Sequence, residues 1–153
     1  MIVLLVLLHI MVMFTAVAIS QGPAVLLYSA MRRGDVAAIR AVGDGFGRVG
    51  RFIGPMFGIG VLIGLAAVFV GGFDPLAPWL LIAYGLTVVA FLTPMLVTGP
   101  RMMRVVEAAA ASPTEEPSPE LRSAIGAAAG PVFWIDAALI VLFIVDMVVK
   151  PFS

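Results

Sequence analysis

Cysteine is absent from this chain, histidine occurs once, and charged residues make up only 12% of its 153 positions. Without cysteine there is no disulfide, no thiolate metal site and no cysteine nucleophile. A single histidine excludes a bis-histidine haem site within one chain. Soluble domains carry about 25% charged residues, so a content this low argues against an ordinary water-facing surface. The recurrent enzyme signatures are missing as well: there is no nucleophile elbow, phosphate loop, metalloprotease helix or dinucleotide fingerprint. Gly43, Gly45, Gly47 and Gly50 imitate a phosphate loop, but no strand precedes them and an apolar run follows. No extended basic surface interleaved with aromatics is present, so nucleic acid is not an expected partner.

What is there is apolar sequence, 62% of the chain. Four runs, at approximately 2–28, 52–70, 76–98 and 125–149, are each long enough to cross a hydrocarbon core of about 30 Å. The expectation is an all-α fold, a four-transmembrane-helix bundle forming one integral membrane domain over residues 1–153, in contact with the lipid bilayer. Formal net charge is zero, yet eight of the nine Lys and Arg residues sit in two polar segments. Arg32, Arg33, Arg40, Arg48 and Arg51 follow the first run; Arg101, Arg104 and Arg122 separate the third from the fourth. The connection around Asp74 carries no basic residue. Basic loops stay cytoplasmic, which predicts a multi-pass protein of the cell (inner or plasma) membrane with both termini outside. Ala16-Val17-Ala18 imitates a signal-peptide cleavage site, but no basic residue precedes the run, so a retained helix is expected.

Along the chain, Gln21-Gly22-Pro23 predicts a kink in helix one. Asp35 is the expected N-cap of the segment after Arg33, and Gly43, Gly45, Gly47 and Gly50 predict a weak or broken helix there. Gly50, Gly54 and Gly58 are spaced by four, as are Gly60 and Gly64, a spacing that lets helix backbones approach closely in lipid. The same spacing serves packing within the bundle, a homo-oligomer, or a membrane-protein partner. Helix three is expected after Pro75 and Pro78 and should bend or fray at Thr93-Pro94 and Thr98-Gly99-Pro100. Tyr84, Thr87 and Thr98 share one stripe of it. Residues 108–119, poor in bulky apolar side chains and rich in proline, read as a flexible cytoplasmic linker.

Ionisable groups in membrane spans are costly and mark candidate sites. His9 shares a stripe of helix one with Ala16 and Ser20, while Met11 and Met13 are taken to project elsewhere. Asp136 lies about 20 Å before Lys150 along helix four, and Asp146 about 6 Å before it, close enough to reach interfacial water. If helices one and four are neighbours, His9 pairs with one of these carboxylates. The intramembrane polar candidates are therefore His9, Ser20, Gln21, Tyr84, Thr87, Asp136 and Asp146. For His9 three readings stand: a neutral imidazole bonded inside the bundle, a haem or metal ligand, and a proton relay. For Asp136 they are a carboxyl bonded to a helix-three hydroxyl or to His9, a group that moves protons, and one that binds a polar headgroup.

Leu7-Leu8-His9, the segment Arg33-Gly34-Asp35-Val36-Ala37-Ala38-Ile39 and the closing Met147-Val148-Val149-Lys150-Pro151 resemble a family of small bacterial four-helix integral membrane proteins of unknown function. Its layout is similar to that of copper-resistance-D-like membrane proteins, which also place a histidine early in helix one. That resemblance implies a bacterial inner-membrane location and a metal or haem role for His9. Phe14-Thr15-Ala16-Val17-Ala18 stands where such relatives carry a Trp- or Gly-rich turn. The functional expectation is a non-enzymatic accessory, assembly or small-ligand-binding bundle with a polar pocket around His9 and Asp136. The alternatives are a haem- or metal-linked redox protein using His9 and proton-coupled transport through Asp136.

Overall fold

The structure, a computed structural model, describes residues 1–114, 116–129 and 132–150. Glu115 of the expected linker, Gly130 and Pro131 of the expected fourth span, and Pro151 beyond it lie outside the described residues. All regular structure among the described residues is helical: α1 (Ile2–Arg33), α2 (Val36–Val70), α3 (Pro78–Thr93), a π-helical turn (Pro94–Thr98), α4 (Gly99–Ala111), α5 (Pro119–Ala128) and α6 (Val132–Val149). Among the described residues three helices are long and apolar enough to cross a membrane: α1, α2 and the continuous stretch Pro78–Ala111. Phe14, Leu62 and Val88 are among many large apolar side chains left exposed on them, a surface suited to hydrocarbon. These are the properties of a multi-pass membrane protein in contact with lipid. With 32 and 35 residues, α1 and α2 are each about 50 Å long and overreach a bilayer core.

The chain divides into two compact units, one formed by Met1–Ser29 with Ala41–Pro75, the other by Ala30–Arg40 with the chain from Leu76 onward. In the first, Gly72 ends α2 at a positive φ of 68°. The Phe73 amide bonds the Val68 carbonyl (3.1 Å) and the Gly72 amide bonds that of Phe69 (3.3 Å), the Schellman arrangement that satisfies the last carbonyls of a helix. In the second unit Gly34 does the same for α1 at φ 66°, with the Asp35 amide on the Ala30 carbonyl (3.1 Å). Asp35 then caps α2, its Oδ1 accepting from the Ala38 amide at 2.9 Å, as its position in the sequence predicts.

Four sequence expectations are revised. The glycines from Gly43 to Gly50 do not break α2, which runs unbroken through them. Its capped start and the full burial of Val36 and Ile39 outweigh the propensity cost of about 1 kcal/mol per glycine. Helix three does not fray at Pro94: the lost amide is absorbed by the π turn, which the Gly99 amide closes onto the Pro94 carbonyl, and α4 carries the helix on to Ala111. The stretch 108–119 is accordingly shorter as a loop, since Ala108–Ala111 are helical. The fourth run is divided, α5 ending at Ala128 and α6 beginning at Val132. Within the second unit α3 packs on α6, α4 on α5, and α6 also meets the π turn.

Candidate intramembrane polar sites

In the first unit, His9 on α1 lies against Gly60 and Gly64 on α2. Its Nδ1 is 2.7 Å from the Gly60 carbonyl oxygen. A carbonyl only accepts, so Nδ1 carries the proton and donates; in the neutral ring, Nε2 then holds the lone pair. A Cβ added at Gly64 would sit 2.8 Å from His9 Cε1, so the imidazole occupies the space that only glycine leaves. One turn on, Met13 fills the equivalent space at Gly60, its sulfur directly against that residue. Met13 therefore shares His9's face, contrary to the sequence reading: four residues is about 400° of rotation, only about 40° past a full turn. Further along α1, Ala16 is fully buried, while Ser20 and Gln21 are half-buried.

Nδ1 is bonded to a backbone carbonyl and the ring packs against Gly64, which leaves Nε2 with its lone pair. No group of three or more His, Cys, Asp or Glu side chains converges among the described residues. What His9 does here is join two helices: one polar bond within a close apolar contact.

Asp136 and Asp146 belong to the second unit, both on α6. Thr98, which is 8% exposed at the end of the π turn, turns its hydroxyl toward the Asp136 carboxyl. Asp136 lies in the second turn of α6, near the end of the helix rather than its middle. Of the other helix-three hydroxyls, Thr87 donates to its own helix at the Ala83 carbonyl (2.8 Å), and Tyr84 is half-buried. Asp146 differs from what its place near Lys150 predicts. It is 4% exposed, not wetted, and neither carboxyl oxygen has a hydrogen-bond partner among the described residues. Lys150, four residues on, instead carries its ammonium 5.1 Å above the Trp79 ring on α3.

Sequence reasoning missed Arg40, whose guanidinium makes four hydrogen bonds in the second unit. Arg40 Nε donates to the Ala109 carbonyl at 2.7 Å, Nη2 to the carbonyls of Ser112 and Ala110, and Nη1 to the Thr114 hydroxyl at 3.3 Å. A guanidinium thus caps the end of α4, where unpaired carbonyls concentrate negative charge. Ser112 completes the loop: its Oγ accepts from the Ser118 amide (2.8 Å) and donates to the Glu116 carbonyl (3.3 Å). Ser118 in turn caps α5 by accepting from the Leu121 amide (3.2 Å). One signal was available: α4 ends in alanines with no glycine or asparagine after them, so its carbonyls need an outside donor. From sequence, Arg40 is one of the basic residues expected at the cytoplasmic interface.

No protein-family model, curated protein or solved structure matches this chain.

Proposed function

We propose that this protein is a non-enzymatic accessory or assembly subunit of a bacterial cell membrane, joined to another membrane helix through the Gly50, Gly54 and Gly58 face of α2. The observation that carries the reading is that a Cβ built at any of these three glycines meets open space, whereas Gly60 and Gly64 are filled by Met13 and His9. Small residues four apart allow a second backbone to approach closely, and packing of that kind drives association where lipid supplies no hydrophobic force. The contact made by His9 supports the same reading, since its Nδ1 serves to join α1 to α2. In this proposal α6 supplies a fourth span, the arginine-rich connections lie in the cytoplasm and both termini lie outside.

The test is self-association and partner capture from mild detergent, comparing the native chain with Gly54→Leu. The native protein should elute as an oligomer or with a membrane-protein partner, and Gly54→Leu should release it without unfolding. A native chain that is monomeric and partnerless ends the reading, as does a Gly54→Leu complex of unchanged size. Labelling of a cysteine placed at Asp74 checks the threading, which requires that this site react from outside the cell.

A further inference from the structure

Asp146 is the anomaly of the second unit. A buried carboxylate is stabilised by hydrogen-bond donors or a cation, and a carboxyl without either is far better tolerated as the neutral acid. Both Asp146 oxygens lack a partner among the described residues, on a side chain that is 4% exposed. The usual partner is close at hand, because Lys150 stands four residues later, the spacing at which opposite charges meet on one helix face. Yet its ammonium lies over Trp79. Its backbone is held in the left-handed region at φ 46°, a conformation that disfavours residues other than glycine and persists where the surroundings fix it. The Lys150 amide closes the end of α6 on the Asp146 carbonyl at 2.9 Å, so the two residues are linked through the backbone as well.

Two contacts give the register of α3 against α6. Thr98 faces Asp136 at one end and Trp79 faces Lys150 at the other, so the helices run antiparallel. Four residues back from Lys150 and four on from Trp79 bring Asp146 to the level of Ala83, itself 2% exposed and without a polar side chain. Of the elements packed on α6, α3 carries Tyr84 as its one titratable side chain and no charged one, and the π turn carries neither. On α6 itself the ionisable groups are Asp136, about 15 Å away along the axis, and Lys150 just past its end.

We propose that Asp146 is a proton-binding site whose occupancy decides the position of Lys150: over Trp79 when the carboxyl holds its proton, and turned back to the carboxylate when the proton has left to water. No covalent bond other than O–H changes, and the lysine stays an ammonium throughout. The proposal stands apart from the assembly reading, since no residue of the Gly54 face takes part.

Trp79 fluorescence reads the switch directly, because an ammonium over an indole perturbs its emission. In a Trp134→Phe background, which leaves Trp79 as the single tryptophan, the purified full chain in detergent is titrated from acid to mildly alkaline pH. One reversible transition in Trp79 emission is expected, and it should be lost in both Asp146→Asn and Lys150→Gln. Lys150 is exposed, so its replacement provides a folded control should Asp146→Asn fail to fold. A flat profile in the Trp134→Phe chain overturns the proposal. So does a transition that survives unchanged in Lys150→Gln or in folded Asp146→Asn.

Discussion

At Gly60 and Gly64 an added methyl group would strike Met13 and His9; at Gly50, Gly54 and Gly58 it would meet nothing within 4 Å. The two rows have the same residue, the same spacing and the same helix, and they are used in opposite ways. By mean direction the two rows lie about 100° apart around the helix axis. One row is a socket already filled by α1. The other is a smooth face still open to a partner, and the difference depends on which side chains α1 brings to α2, not on α2 itself.

The comparison breaks most visibly at Gly64. Leucine there must displace the His9 ring, whose Cε1 would lie 2.8 Å from the first added carbon. Overpacking of this kind costs about 1–3 kcal/mol, so Gly64→Leu should lower the detergent melting temperature more than any other substitution in either row. Equal melting temperatures for Gly64→Leu and Gly54→Leu would erase the distinction between the rows. Replacing the knob instead of the socket should cost less. His9→Leu keeps the apolar contact and removes one bond to the Gly60 carbonyl, a loss of about 1 kcal/mol for an interhelical bond in a membrane protein. Uptake of haem or copper by the native chain but not by His9→Leu would give Nε2 a ligand role beside the helix contact made through Nδ1.

Much of this pattern was legible in the sequence, and the largest failures were ones of partnership. The long apolar helices, the Asp35 cap and the two glycine rows follow from local composition and spacing. The four-residue spacing also puts Met13 beside His9, against the expectation that it projects elsewhere. Long-range partners were not legible. Nothing near His9 in sequence points to a carbonyl fifty-one residues away, and nothing near Arg40 points to the end of α4 sixty-nine residues on. Asp146 failed differently: distance from the chain's end suggested water, whereas exposure is decided by which helix lies across it.

The open face gives the finer tests. Gly54→Leu should leave the melting temperature of the monomer nearly unchanged while abolishing association, because its side chain enters space that only a second helix needs. The smallest effect, and the sharpest for the comparison, belongs to Gly54→Ala. Alanine in a helix interior is favoured over glycine by about 0.5–1 kcal/mol, and here no neighbour opposes it. The monomer should therefore become slightly more stable, with association retained because alanine still counts as small at such interfaces. The same change at Gly64 should have the opposite sign, since its methyl group would meet the imidazole. Opposite signs from one chemical substitution, ten residues apart on one helix, are what a filled and an open row require.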